Sequence, residues 1–420
     1  MMGNMLKRRE KLNRLIQFGV EISEIADLDL LLEKVLTEAR HLVNADAGSI
    51  YIKEGDFLKF SYAQNDTLQA KLEPGKKLIY TTFSMPINNK SIAGFVANNG
   101  NTLNIPNAYK ISSSLPFSFD GSYDKISGYH TESMLTIPMK NNRGLIIGVL
   151  QLINARNDQG KIIPFSEEDE PLIHHFAIYA ANAIERAQMT RTTIMRMISM
   201  AELRDPKETG PHVNRVAAYS VELYEAYAHK KGIDRKEIDK NRDSLRLAAM
   251  LHDVGKVAIS DLILKKPARF TDDEYEIMKK HTLYGARLFR DARSDFDEYS
   301  AAVALNHHEK WDGSGYPGHV DIESGKPLPG HETSDGKARG KKGEEIPLYG
   351  RIVALADVYD ALSSHRVYKE AWDEKKVLDT IHQERGKHFD PELVDVFFSI
   401  LDNIRAIAAR YPDDEKEVGK

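Results

Sequence analysis

The chain of 420 residues contains no cysteine. That absence excludes disulfides, thiolate nucleophiles and cysteine-based zinc sites, so any bound metal must be held by nitrogen and oxygen ligands. Long apolar runs are missing too, and the longest, around Leu145 to Ile153, is far too short to cross a bilayer. The start, Met1-Met2-Gly3-Asn4-Met5-Leu6-Lys7, passes directly into a charged helical pattern without the apolar stretch of a signal peptide. A cytoplasmic location with no membrane partner is the expectation. There is also no excess of positive charge: 58 Lys and Arg stand against 63 Asp and Glu, for a net charge of −5. Without a global basic field, polymeric nucleic acid is not an expected partner, and a small dianionic ligand would need local positive charge.

What is present describes an ordinary globular protein, with 41% hydrophobic and 29% charged residues. The length exceeds what one core normally fills, so about two domains and a connector are expected. From about Leu6 to Val43, apolar and charged positions alternate at helical spacing, as in Leu12, Ile16, Val20, Leu32, Val35, Leu36 and Ala39. From Ala47 the period changes to two, and Ser49–Ile52, Leu58–Tyr62 and Leu78–Tyr80 read as strands. Met134–Ile137 and Leu145–Leu150 flank Asn141-Asn142-Arg143-Gly144, which has the residues of a hairpin turn. A mixed α+β domain therefore occupies roughly the first 170 residues.

From about Ser166 the pattern is helical past Met200. Ile173, Ala177, Ala180, Ile184, Ala187, Arg191, Ile194 and Ile198 follow a 4-3-4-3 spacing, the seam of a coiled coil interrupted by Arg191. No turn residue breaks this run, so a parallel homodimer across the helix is expected; the alternative is one long helix packing on its own domains. Beyond it the chain reads as nearly all helical.

Histidines and acids recur in this second half where helices start or stop. Glu208-Thr209-Gly210-Pro211-His212 places Pro at a first helical position and His212 in the first turn. His252-Asp253 is followed by Gly255-Lys256, His281 lies in a helical stretch, and His307-His308-Glu309 precedes the glycine-rich Trp311–Pro317. Asp357 and Asp360 fall one turn apart on the apolar helix Ile352 to Leu362 and share a face. Several imidazoles with bridging carboxylates suit iron or manganese better than calcium or magnesium. Two cations about 3.5–4 Å apart are a known solution to phosphodiester hydrolysis, because the substrate's own charge repels hydroxide. A lone histidine is more often a core or surface residue, and His319, His331, His365, His382 and His388 are read so.

These motifs together, with Ile352–Leu362 and Gly386-Lys387-His388-Phe389-Asp390-Pro391, resemble the HD-GYP family over about Met200 to Ile407. The resemblance implies an all-α domain that hydrolyses cyclic di-GMP to linear pGpG. It implies that His212, His252, Asp253 and Asp357 bind one metal and that Asp253, His281, His307 and His308 bind a second, with Asp253 bridging. Lys256 would contact the scissile phosphate, and Lys256 and Asp253 would be the catalytic pair. Glu208 matches a glutamate that helps hold a third metal in part of the family, so two or three divalent ions and a second cleavage to GMP are implied; an exposed loop carboxylate is the alternative. Arg366 and Lys369 match substrate-gripping positions, although a helix end often carries basic residues anyway. Gly315 and Tyr316 would shape the loop beside the metals, contact substrate and dock GGDEF partner domains. Arg215 reads equally as a metal-site support or a surface charge. Val367 departs from the family's usual proline. The stretch from His319 to Gly340 looks inserted, lacks Phe, Trp and Tyr, and is expected to be an unstructured or weakly ordered loop, with a lid beside the active-site loop as the alternative.

Ala45–Tyr51, Ala63–Asn65, Ser91–Ala97 and Gly148–Asn154 resemble a GAF domain over roughly Asp27 to Arg186. That implies a central antiparallel sheet with helices and a pocket for an unknown small molecule. Asn154, Phe165, Asp169 and Glu170 match the signature of cyclic-nucleotide-regulated GAF domains, but Ala155 replaces the lysine, which removes its expected salt bridge to Asp169. His130 is read as structural. The resulting organisation is an N-terminal helix at 1–26, a GAF sensor at 27–170, a connecting helix at 171–199, an HD-GYP domain at 200–408 and a charged tail at 409–420. Cyclic GMP–AMP as substrate, or a catalytically silent docking module, are the alternatives.

Overall fold

The structure is a computed structural model that describes residues 2–73, 78, 80, 83–202, 210–364 and 372–412. The chain divides into two units, Met1–Arg191 and Thr192–Lys420.

In the first unit, helices α1 (Met2–Glu24) and α2 (Leu28–Leu42) come first. They are separate because Asp27 ends the run: its carboxylate accepts from Asp29 N and Leu30 N, capping α2. Strands β1 (Ala45–Glu54) and β2 (Phe57–Asn65), the short α3 (Asp66–Gln69), β3 (Ser84–Pro86), α4 (Ile92–Asn99), β4 (Leu103–Ile105) and α5 (Ser122–Ser127) follow. Then come β5 (Met134–Lys140), β6 (Ile146–Arg156), β7 (Ile162–Ile163) and the long α6 (Asp169–Glu202). The strands form one antiparallel sheet in the order β3-β2-β1-β6-β5-β4, with β7 on β6. The expected hairpin joins β5 to β6, where the Asn141 side chain accepts from Arg143 N and Leu145 N and Gly144 takes φ +75°. Of the strand expected at 78–80, Ile79 lies outside the described residues, and Leu78 and Tyr80 lie in no strand; the edge is β3.

Alternation along the strands sends Ile50, Ile52, Leu135, Ile137, Leu150 and Leu152 to one face, against α1, α2 and α6. Tyr51, Leu58 and Val149 point to the other, against α4. Both faces are covered, so β1 is buried almost end to end. The coiled-coil seam is used here. Ile173, Ala177, Ala180, Ile184 and Ala187 lie in the unit's own core, and Phe176 stacks on Phe18 at 4.0 Å. Arg191, which breaks the seam, pairs with Asp29 at 3.3 Å.

The second unit is helical: α7 (Gly210–Lys230), α8 (Arg235–Met250), α9 (Asp261–Leu264), α10 (Asp272–Lys279), α11 (His281–Arg287), α12 (Asp295–Asn306), α13 (Leu348–Ser363), α14 (Glu374–Gln383), α15 (Pro391–Ser399) and α16 (Leu401–Arg410). α7 is its centre and packs on α8, α13, α15 and α16. Its apolar positions leave water at nearly every turn from Val213 to Tyr224, and Tyr219 meets Tyr359, which meets Phe397. Among the described residues no helix is long and apolar enough to cross a membrane.

Candidate metal centre

Five chain segments converge at one place in the helical unit. His212 sits in the first turn of α7, after Pro211. α8 ends at Met250, and the chain passes through His252 and Asp253 into a 3₁₀ turn, Val254–Ala258. Gly255 in that turn lies against the start of α11: a Cβ there would stand 2.0 Å from the His281 carbonyl oxygen and 2.3 Å from Gly285 N. Only glycine permits this approach, which brings Asp253 to His281. His307 caps the C-terminus of α12, His308 follows it, and Asp357 projects from α13.

The result is two groups of side chains that can each hold a metal ion: Asp253, His281, His307 and His308, and His212, His252 and Asp357. In the first, Asp253 Oδ1 lies 3.2 Å from His281 Nε2 and 3.6 Å from His307 Nε2, and the two nitrogens are 3.5 Å apart. In the second, Asp357 Oδ1 lies 3.6 Å from His212 Nε2 and 4.0 Å from His252 Nε2. The other oxygen of Asp253, Oδ2, is 3.2 Å from His252 Nε2, so this carboxylate faces both groups.

The far side of each ring explains why a cation fits. His252 Nδ1 donates to Ala249 O at 2.9 Å and His281 Nδ1 to Met278 O at 2.7 Å. His307 Nδ1 is 3.1 Å from both Val303 O and Ala304 O. A carbonyl can only accept, so it fixes the proton on Nδ1 and leaves a lone pair on each inward Nε2. His281 Nε2, His307 Nε2 and Asp253 Oδ1 are then three acceptors facing one small space, an arrangement that a cation completes.

Electrostatics point the same way. Burial pushes the Asp253 carboxyl up, but the positive field led by the Lys256 ammonium 2.7 Å away outweighs burial and holds the carboxyl well below the usual range. Asp253 is therefore ionised. Burial lowers His307, and burial with the neighbouring His307 and His281 lowers His308 further, so both rings are held neutral, the form that binds metal.

Asp360, one turn after Asp357, is a residue that the sequence places on the same face without giving it a role. It is buried and accepts from His212 Nδ1 at 2.8 Å and from Arg215 Nε at 2.6 Å and Nη2 at 3.0 Å. Burial raises its carboxyl, and the His212 and Arg215 hydrogen bonds more than reverse this. Arg215, undecided from sequence, is thus a buried support of the site. A carboxylate in the middle of an otherwise apolar helix was the available signal.

Tyr316 stacks on the His308 ring at 4.8 Å, and Gly315 lies so close to Glu309 and Lys310 that a Cβ would be 2.3 Å from Lys310 N. Glu208, Arg366 and Lys369 lie outside the described residues. Of the histidines set aside, His319 and His331 stack on each other at 4.0 Å, and His382 lies 6.1 Å from Phe398. His388 stacks on Phe389 at 4.4 Å; His365 is outside the described residues.

The stretch from His319 to Gly340 is folded, contrary to expectation. His319 N bonds Arg339 O at 2.9 Å, Leu328 N bonds His319 O at 2.8 Å, and Arg339 N bonds His331 O at 2.7 Å. Arg287 donates to Ile322 O and Glu323 O at 2.7 and 2.8 Å. At its base, buried Glu309 accepts from Gly318 N at 2.5 Å and from Lys341 N at 3.2 Å. Composition argued for disorder because apolar side chains are scarce; backbone hydrogen bonds, within the segment and to the Arg287 side chain outside it, supply the order instead.

In the first unit, the loss of lysine at Ala155 does not leave Asp169 without a salt bridge. Lys11 of α1 supplies one at 2.8 Å. Asn154, at φ +56°, accepts from Glu132 N and donates to His130 O, a backbone role. The His130 ring stacks on Tyr109 at 5.1 Å.

Comparison with known proteins agrees with this geometry. The HD domain family matches residues 209–362 and the GAF domain family residues 27–184. A 3'3'-cGAMP-specific phosphodiesterase of Vibrio cholerae is 35% identical over 230 residues, 55% of this chain and 38% of the relative. A cyclic di-GMP phosphodiesterase of the same organism is 35% identical over 274 residues, 63% of this chain and 51% of the relative. A cyclic di-GMP phosphodiesterase of Thermotoga maritima is 36% identical over 222 residues, 53% of this chain and 52% of the relative. The chain spans about half the length of these relatives or less. It carries a GAF domain followed by a helical HD domain, whose histidines and aspartates form candidate sites for divalent metal.

Proposed function

We propose that the chain is a metal-dependent phosphodiesterase of the HD-GYP type that hydrolyses cyclic di-GMP to linear pGpG, under control of a small molecule at its GAF domain. The observation that carries this reading is the placement of Asp253, with one oxygen toward His252 and the other toward His281 and His307. One ion would be held by His212, His252, Asp253 and Asp357, the second by Asp253, His281, His307 and His308. The nitrogen and oxygen donors suit iron or manganese. Such ions, when bound, neutralise a phosphodiester and activate water.

The chain's own residues set the frame. Lys256 keeps Asp253 ionised through their 2.7 Å contact and brings positive charge to the place a phosphate would occupy. Asp360 and the backbone carbonyls aim the imidazoles inward. Gly315 and Tyr316 border the site and would meet substrate and GGDEF partners. Arg366 and Lys369 would grip the substrate, and Glu208 would hold a third ion and enable cleavage to GMP. A cytoplasmic location and a homodimer complete the reading; a dimer would have to use faces other than the seam through Ala187, which is buried in the chain's own core.

A second reading, cyclic GMP–AMP as substrate, is favoured by the names of two relatives and differs at one base. Protein purified anaerobically and loaded with Fe(II) or Mn(II) is to be given each cyclic dinucleotide and the products separated by chromatography. Conversion of cyclic di-GMP that disappears in the His252→Ala/Asp253→Ala variant is the expected result. Turnover of cyclic GMP–AMP alone would shift the substrate, and turnover of neither, with metal bound, would point to a gated enzyme awaiting its GAF ligand or to a docking module.

A further inference from the structure

The stacking that begins at His308 continues outward as a ledge. Tyr316 lies on His308, and Tyr275 of α10 meets Tyr316 edge-on at 6.1 Å and 80°. Tyr275 is 47% exposed, an aromatic ring partly in water next to a polar site. One turn along the same helix, the Lys279 ammonium lies 5.5 Å from the Tyr275 ring and 5.6 Å from the Tyr316 ring. It pairs with Glu276 at 2.7 Å, and Lys337 of the 319–340 segment approaches the same carboxylate at 3.5 Å. The hydrogen bond from Lys279 holds the Glu276 carboxyl below its ordinary range, so it accepts and cannot donate.

A flat ring, a carboxylate and an ammonium within one helical turn match one nucleobase. Guanine carries N1–H and N2–H side by side for a carboxylate, and O6 and N7 acceptors for an ammonium. Adenine puts an N1 acceptor where the carboxylate needs a donor, and its 6-amino group where the ammonium needs an acceptor. We propose that Tyr275, Glu276 and Lys279 bind one guanine of a nucleotide whose phosphate lies at the histidine–aspartate site, with the base on the Tyr275 ring, its N1–H and N2–H on Glu276, and its O6 on Lys279. The proposal rests on the phosphodiesterase reading and names the base that reading leaves open. It also gives the 319–340 segment a place beside the substrate, through Lys337.

The test uses the full chain loaded with Mn(II), with metal content and thermal midpoint measured for each variant. Tyr275→Ala is expected to raise KM for cyclic di-GMP about tenfold with kcat nearly unchanged, while Tyr275→Phe keeps the wild-type KM. Glu276→Gln is expected to lower the preference for cyclic di-GMP over cyclic di-AMP, as the ratio of kcat/KM, about tenfold. Wild-type KM and preference in all three variants, at full metal content, would overturn the guanine site and leave the phosphodiesterase reading intact. Should the wild type turn over neither dinucleotide, calorimetry with guanosine and adenosine monophosphates decides. Tighter guanosine monophosphate binding that is lost in Glu276→Gln supports the site, and equal binding of the two refutes it.

Discussion

Asp360 Oδ2 accepts a hydrogen bond from His212 Nδ1 at 2.8 Å, and both residues are buried. The bond ties a ring on α7 to a carboxylate on α13 and turns the ring so that Nε2 faces Asp357. Supports of this kind set both the orientation and the basicity of a metal-binding imidazole.

Asp360→Asn is therefore expected to weaken metal retention at the His212, His252 and Asp357 group by about 10–100-fold. It also leaves the buried Arg215 guanidinium facing a neutral amide, at a cost of about 3–5 kcal/mol. Elemental analysis and thermal unfolding of the purified variant check both. Metal content and stability equal to wild type would mean that Asp360 does not support the site.

Gly255→Ala drives a methyl into the backbone at His281 and Gly285. Separation of the 3₁₀ turn from α11 should follow, with a loss of about 1–3 kcal/mol from overpacking. Metal bound at the Asp253, His281, His307 and His308 group should fall with it. Full metal occupancy in a folded variant would count against the idea that this contact assembles the site.

Glu309→Gln keeps an acceptor for only one of the two amides that the carboxylate serves, and turns an N–H donor toward the other. The expected destabilisation is about 1–3 kcal/mol. Hydrogen exchange at Gly318, Lys341 and the segment between them should speed up in the variant. Unchanged protection there would show that the segment is closed by its own turns.

Burial, with the Lys310 ammonium, pushes the His388 imidazole down to about 4, against an ordinary value near 6.5. The folded value is the lower one, so the unfolded chain binds the proton more readily throughout that window. This contribution to stability is complete above pH of about 6.5 and is lost as pH falls toward about 4, amounting to about 3 kcal/mol. His388→Phe removes the titration and keeps a ring against Phe389. Its unfolding free energy should vary less with pH than wild type between these limits; parallel curves would contradict the assignment.

Much of this protein was legible before any coordinates. Period-two alternation and the Asn141–Gly144 turn marked the sheet, because a strand with two covered faces still alternates its side chains. His212, His252-Asp253, His281, His307-His308 and Asp357 were legible because metal chemistry restricts the residue types and helix ends restrict their spacing. Tertiary structure decided what depends on partners distant in sequence. The seam from Ile173 to Ala187 reads the same whether it packs on a second chain or on α1 and α2; only packing chose the latter. Lys11 could not be matched to Asp169 across 158 residues, and Arg215 became a buried support only because Asp360 lies behind His212. The 319–340 segment is ordered by its own backbone bonds and by Arg287, while Glu309 ties together the residues on either side of it, since backbone groups carry no mark in the sequence of the partner that will satisfy them.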